Sequence, residues 1–440
     1  MALIWSEGFR GENALAPFWQ KCTRARFEAE SENLTISERV AARVRLEEAQ
    51  QAYELIVNQA ESTLSRIDSP RTHAFVVGVG KYADPGINSV TTSVRGAWEF
   101  SDWMLSSFSN PERPLASLEL FFSAPDSLEP WKPSQRATTT LGIEPESRLH
   151  GEPATFLNLK RAFAKWLIRI GGNPENAAFF YFSGHGLWKA SCILLPEDSR
   201  LPQDGQAADN LIDLQQTVEN MFNVRPSVQC FFIDACQEIS PSMLESLDAR
   251  PGSPLRGSTL GAPIPARDAR IYLGSCVGKQ AYGLPFQTPF FTEQLLRCFD
   301  RTAAKWKRDD GSWVVTTESL REALLAASQW RSEIVGKPIL FSAESTGTFT
   351  ADLCSITKQP DVFVKVCCSP AKYMINASLY VLSGLQRIER ASPQTREWYV
   401  SVNEGACEAG VKVSTNSDPI EVKKTFEAYP PTYPVVLRVP

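Results

Sequence analysis

The spacing of apolar positions changes twice along the chain, and the changes mark three regions. From Thr35 apolar side chains recur at steps of three and four, at Leu46, Ala49, Tyr53, Ile56, Ala60, Leu64 and Ile67, which lines one face of a helix over 35–67. Thr35-Ile36-Ser37-Glu38 has the form of a capping box, in which hydroxyl and carboxylate each satisfy an orphan amide of the first turn. Asp68-Ser69-Pro70 ends the helix, which either packs on the following domain or serves as a docking arm. Between 71 and about 345, short continuous apolar runs alternate with helical periodicity. Residues 74–79, 177–182, 228–233 and 271–273 read as buried strands, with a shorter one at 193–195. Residues 94–108, 156–170, 211–222 and 290–299 read as helices. Continuous apolar strands alternating with helices predict an α/β fold, a mostly parallel sheet with helices on both faces.

Two stretches interrupt this pattern. Residues 109–153, rich in Pro and Ser, read as an irregular insertion, and 237–268 as a long exposed loop broken by Pro241, Pro251, Pro254, Pro263 and Pro265. From about 359 the period falls to two, at 362–366, 398–402, 411–413, 420–429 and 435–439. That predicts a small antiparallel β domain, a sandwich. The expected organisation is a helical segment over 1–70, an α/β domain over 71–345 and a β-sandwich over 355–440.

Composition removes classes of function rather than naming one. The formal charge is −5 and no basic block stands out, so no nucleic-acid partner is expected. No apolar stretch reaches the roughly 18 residues of a membrane span, and residues 1–11 hold no long apolar run of a secretory leader. Ten cysteines without metal-type pairing then predict reduced thiols in a cytoplasmic protein, with no metal site and no cofactor. Cys367-Cys368 reads as two strand residues, and His73 and His150 as structural or surface residues. Gly78-Val79-Gly80-Lys81 lacks the frame of a phosphate loop.

The chemistry concentrates in two segments, Tyr181-Phe182-Ser183-Gly184-His185-Gly186 and Phe232-Ile233-Asp234-Ala235-Cys236-Gln237, whose reactive residues lie 51 positions apart. Each side chain sits just past the end of an expected strand, where open parallel sheets collect functional groups. If the strands are neighbours, imidazole and thiol emerge on one rim. A thiolate attacks a peptide carbonyl, and a nearby imidazolium lowers the thiol pKa and protonates the leaving amine. Gly184 and Gly186 allow close approach of the backbone to substrate, and the amides of Gly186 and Cys236 are candidate oxyanion donors. The plain alternative is that Cys236 is an inert core thiol.

Four segments, in order across about 71–300, resemble the caspase-like cysteine peptidases. Phe75-Val76-Val77-Gly78-Val79-Gly80-Lys81-Tyr82 is similar to the family's first strand. Ser183-Gly184-His185-Gly186 is similar to its histidine motif, and Asp234-Ala235-Cys236-Gln237 to its cysteine motif. Gly274-Ser275-Cys276, Gly278-Lys279-Gln280-Ala281-Tyr282 and Pro289-Phe290-Phe291-Thr292 resemble the small subunit. The spacing agrees with a histidine about 50 residues upstream of the cysteine. The resemblance implies a cysteine endopeptidase with Cys236 as nucleophile and His185 as its acid/base partner.

The chain departs from caspases at Asp234, where they carry Gln. An Asp there resembles metacaspases and paracaspases, which implies cleavage after Arg or Lys, since a buried carboxylate pairs with a guanidinium. Alternatively Asp234 satisfies local backbone donors. The second acid of metacaspase pockets is not at its usual place; Glu99 or Asp102 can substitute, or both are solvated. No acidic cluster for calcium is evident. The 237–268 loop corresponds by resemblance to the linker cut on maturation, which makes Arg250, Arg256 and Arg267 candidate self-cleavage sites beside the reading of ordinary solvated arginines. The resemblance further implies an effector of bacterial stress or antiviral defence, activated by a protein partner. The competing class is a catalytically inactive scaffold acting through its outer modules.

Overall fold

The computed structural model describes residues 3–9, 14–31, 34–64, 67–201, 208–222, 226–236, 252–256, 268–275 and 287–440, except 348, 391–392 and 415–417. They form two compact units, Met1–Glu293 with Ser342–Phe349, and Gln294–Phe341 with Thr350–Pro440.

The first unit is built on a seven-stranded sheet. Its strands in chain order are β1 (Leu3–Ser6), β2 (Thr72–Val79), β3 (Leu115–Ser123), β4 (Ala177–Gly184), β8 (Val228–Ala235), β9 (Asp268–Leu273) and β12 (Ser342–Gly347), with β5 (Gly186–Lys189), β6 (Ser191–Leu194) and β7 (Ile212–Asp213) in a small separate sheet. The spatial order is β1-β3-β2-β4-β8-β9-β12. The five middle strands are parallel, and β1 and β12 close the edges antiparallel. Every residue of β2, β4 and β8 is buried, which is why these segments read as unbroken apolar runs. Helix α3 (Thr91–Ser106) covers one face, where Phe100 stacks on Tyr181 at 4.7 Å between centroids. Helix α5 (Phe156–Ile170) contributes Phe163 and Trp166 to the core around Phe75 on the other face.

Three expectations for this unit change. Strand β3 lies inside the stretch expected to be irregular. Its apolar run is broken by Glu119, which is buried because the Arg169 guanidinium of α5 meets it, itself paired with Glu61. Residues 212–213 extend as a short strand, and helix α6 (Leu214–Phe222) starts after them, with the Asp213 carboxylate accepting the Gln216 N–H at 3.0 Å. The N-terminal segment is not purely helical, since β1 joins the main sheet. Helix α2 (Ile36–Leu64) has the expected capping box: Thr35 N–H donates to Glu38 Oε2 at 2.9 Å, and Glu38 N–H to Thr35 Oγ1 at 3.3 Å. It packs within its unit, and its Tyr53 hydroxyl donates to Leu3 O.

In the second unit, β11 (Trp313–Thr316) pairs with β13 (Asp352–Ile356), and the helix Thr317–Val335 lies on the strands Asp361–Ser369 and Trp398–Asn403. These contacts tie residues 294–341 to the C-terminal region, so the division differs from the boundary expected near 345–355. Two sheets share one apolar core there, as a sandwich requires. The sandwich is not wholly antiparallel, because Asp361–Ser369 pairs parallel with Thr432–Arg438.

Candidate active site

Strands β4 and β8 are neighbours, with Ser183 opposite Asp234 and Gly184 opposite Ala235. His185 and Cys236 are therefore the next residue on each of two adjacent parallel strands. They emerge together on the carboxyl rim. The chain passes from β2 to β3 on one side and returns to β4 on the other. The strand order reverses at β2, and a crevice at such a reversal is where open α/β sheets hold ligands. The loop after β2 carries Tyr82 and Asn88 into this crevice.

His185 is fixed from two directions. Its Nε2 lies 2.8 Å from the Asn88 carbonyl oxygen. A carbonyl only accepts, so Nε2 bears the proton and Nδ1 keeps its lone pair in the neutral ring. Its backbone N–H donates to the Tyr82 hydroxyl at 2.7 Å, and that hydroxyl donates to Val79 O at 3.2 Å. Burial pushes the imidazole pKa below its ordinary value, partly offset by the Asn88 carbonyl. The resting ring is thus biased toward the neutral base, whereas the sequence reading stressed the imidazolium.

Gly186 opens β5 (Gly186–Lys189), which pairs with β6 (Ser191–Leu194). Leu195 N–H donates to His185 O, so the ladder alternation makes Gly186–Leu194 a non-hydrogen-bonded pair. The Gly186 N–H consequently points away from β6. A side chain at 186 would place Cβ 2.6 Å from the Cys236 carbonyl oxygen. Glycine is needed here to let the histidine turn pack on the cysteine turn, a contact within the protein. Cys236 is half-buried, while the other described cysteines except Cys367 are buried. The Ser275 hydroxyl donates to Ala235 O at 2.8 Å, bracing the residue before it.

Asp234 lies one turn of the pleat below, 3% exposed. Its Oδ2 accepts from the Thr292 N–H at 3.2 Å and from the Thr292 hydroxyl at 2.5 Å. Because Thr292 donates there, the Tyr181 hydroxyl, 2.6 Å from Thr292 Oγ1, is the donor in that pair. Thr292 sits in the first turn of helix α7 (Phe290–Arg297), so the carboxylate caps that helix from the sheet. Burial raises the Asp234 pKa to about 6 against the lowering effect of the Thr292 bonds. A Cβ on Gly274 would stand 2.9 Å from Phe291 Cβ and 3.0 Å from Asp234 Oδ1, so glycine lets this turn pack closely on both.

The remaining expected residues are not drawn in. Asp102 Oδ1 accepts the Ser134 N–H at 2.6 Å, at the start of the helix Gln135–Leu141, and with Glu99 lines a separate cavity of about 470 Å³. Helix α3 instead brings Gly96 against the Tyr181 hydroxyl. Arg256 is exposed, but the residues before it are fixed. Ser253 bridges to Ile212, Leu255 is fully buried, and Leu255 N–H donates to Thr217 Oγ1. Arg250, Arg267 and residues 276–286 lie outside the described residues. His73 is buried on the Ser117 hydroxyl, with its pKa driven to about 3 by burial, and His150 stacks on Phe27. Among the described residues no cluster of three metal-ligating side chains occurs, and no helix is long and apolar enough to cross a membrane.

The sequence reading missed Asn88 and the roles of Tyr82 and Thr292. Asn88 acts through its main-chain carbonyl, which leaves no residue-type signal. Tyr82 and Thr292 both fall in segments quoted for the family resemblance.

No family model matches the chain. It is 24% identical over 261 residues to the uncharacterized protein y4kE of Sinorhizobium fredii, covering 59% of this chain and 71% of that protein. The crystal structure of caspase-1 from Spodoptera frugiperda matches 65% of this chain and 90% of its own, at 12% identity and a TM-score of 0.38. Likenesses of this size leave the activity to be argued from the chemistry of the rim.

Proposed function

We propose that this chain is a caspase-like cysteine endopeptidase that cleaves after Arg or Lys. The observation carrying this reading is the placement of a half-buried thiol and an Nε2-anchored imidazole at the ends of adjacent parallel strands, beside the strand-order reversal. In the proposed reaction His185 Nδ1 takes the Cys236 proton as sulfur attacks the scissile carbonyl. The Gly186 and Cys236 amides receive the oxyanion. The protonated imidazole then gives its proton to the leaving amine, and water, deprotonated by the same ring, releases the acyl group.

Asp234 supplies the charge for a basic side chain before the cleaved bond. Its place two residues before Cys236 on the same strand and its ionisation near pH 6 support this role. Its bonds to Thr292 support the rival role of a helix cap. A cytoplasmic defence effector switched on by a protein partner, with maturation by self-cleavage at Arg250, Arg256 or Arg267, belongs to the same proposal by family resemblance. For Arg256 that cut requires the pinned segment 252–255 to leave its seat.

Fluorogenic Arg and Asp peptides assayed side by side, with Cys236→Ala as control, test this reading. Thiol-dependent turnover of the Arg peptide, lost by at least about a thousandfold in Cys236→Ala, is expected. Turnover of the Asp peptide alone removes the role given to Asp234. Absence of both, with Cys236→Ala behaving as wild type, favours the scaffold. A purified active enzyme that stays one band on a denaturing gel removes self-cleavage.

A further inference from the structure

We propose that Tyr82 is a positioning residue for His185, its hydroxyl fixing the histidine main chain and its ring covering one side of the imidazole. The inference rests on the peptidase reading for its kinetic consequence, but not for its geometry.

Tyr82 follows β2, whereas His185 follows β4, so the contact joins the two sides of the strand-order reversal. The phenol is 8% exposed. Its hydroxyl makes two bonds in series, accepting from His185 N–H at 2.7 Å and donating to Val79 O at 3.2 Å. The first of these replaces the ladder partner that His185 N–H lacks just beyond the end of β4. Without the hydroxyl, that amide loses its acceptor in a half-buried turn, and the turn is less firmly held. The ring centroid lies 5.1 Å from the imidazole centroid at an interplanar angle of 45°. The phenol therefore removes solvent from one side of His185, while the Asn88 carbonyl holds the ring's far nitrogen.

The two parts of Tyr82 have separable effects. The hydroxyl sets where the imidazole stands, and the ring sets how far burial lowers its pKa. Among the described residues, the Tyr82 phenol and the Asn88 carbonyl lie against the imidazole. Burial and the Asn88 bond are the causes of its shift, and among the described residues no carboxylate or guanidinium contributes. The Tyr82 phenol stays protonated throughout the working range, because burial raises its pKa strongly.

Two variants in the full-length chain separate the effects. Tyr82→Phe keeps the ring and is expected to lower kcat about tenfold with KM and His185 pKa near wild type. Tyr82→Ala removes both and is expected to lower kcat further and raise the His185 pKa toward 6.5. The pKa is read by ¹⁵N-histidine NMR titration in the Cys236→Ala background. The chain has three histidines, and loss of a signal in His185→Asn assigns the third. His73 stays neutral across pH 5–8. Wild-type kcat in Tyr82→Phe overturns the role of the hydroxyl, and an unchanged pKa in a folded Tyr82→Ala overturns that of the ring. If the wild type turns over no peptide, the peptidase reading fails. The titration and tautomer then decide the Tyr82 geometry alone, with release of Nε2 from Asn88 in Tyr82→Phe supporting it and an unchanged tautomer and pKa in both variants overturning it.

Discussion

The rim around His185 and Cys236 and the interior around Asp234 are built from the same two strands, two residue pairs apart, yet they solve opposite problems. At the rim the strands have run out: the His185 backbone N–H, which a sheet would have paired, is held by a phenol, and its ring Nε2 by a loop carbonyl. The imidazole keeps a free lone pair and the thiol keeps partial access to solvent. Below it, the Asp234 carboxylate is buried and already bonded to two Thr292 donors that belong to a helix start. A reactive pair needs access to substrate, and Cys236 is half-buried rather than buried. A structural carboxylate needs satisfied capacity, and Asp234 has most of it. The contrast teaches that the proposed reaction and its proposed specificity rest on different grounds. The proposed dyad rests on strand position, whereas the proposed substrate pocket must compete with a cap.

The rim is broken most directly at Gly186. Its missing Cβ would stand 2.6 Å from a main-chain oxygen, so Gly186→Ala cannot be absorbed by a side-chain rotation. The histidine and cysteine turns must separate. A displacement of roughly an ångström in a catalytic pair costs on the order of a hundredfold in rate. Gly186→Ala is expected to lower kcat/KM by about that factor while the chain still unfolds cooperatively. Near-wild-type kcat/KM would mean that the two turns are not in register for catalysis.

The interior is tested at Thr292. Thr292→Val keeps the shape but removes the hydroxyl that links Tyr181 to Asp234. Two buried polar groups then lose a partner, and a cost of about 1–3 kcal/mol in urea unfolding follows. The Asp234 pKa is expected to rise further, because the lost bond favoured the ionised form. A change within about 0.5 kcal/mol would show that the Thr292 hydroxyl adds little to the buried link between Tyr181 and Asp234.

These two regions also differ in how far the chain's letters disclose them. Strands β4 and β8 were legible because both faces of a parallel strand are buried, so 177–182 and 228–233 are apolar without a gap. Their adjacency was not, since nothing in either segment names its neighbour. Strand β3 was lost because Glu119 interrupts it, and only the fold shows Arg169 arriving from α5 to pair with that carboxylate. The parallel pairing of Asp361–Ser369 with Thr432–Arg438 was hidden because a period of two fixes the faces of a strand but not its direction. Among site residues, those acting through side-chain chemistry were visible, as His185, Cys236 and Asp234. Asn88 works through a carbonyl that every residue type carries, and Thr292 works by where α7 begins.

The smallest expected effect also bears most directly on the contrast. Burial gives Asp234 a folded-state pKa of about 6, above its ordinary 3.8. A raised carboxyl pKa means that the folded state binds the proton more tightly than the unfolded one. The resulting stabilisation is complete below the unfolded pKa and is lost as pH rises through about 6. Asp234→Asn carries no such loss. Its stability advantage over wild type should widen by about 1 kcal/mol between pH 5 and 7, read from urea midpoints at constant slope. The same ionisation would charge a substrate pocket. The ratio of kcat/KM for an Arg peptide to that for its neutral citrulline analogue cancels the His185 titration common to both. A ratio that climbs through pH 6 in wild type and stays flat in Asp234→Asn places the carboxylate against substrate. A flat ratio in both, with the stability gap still widening, leaves Asp234 as the cap of α7 and moves specificity elsewhere on the rim.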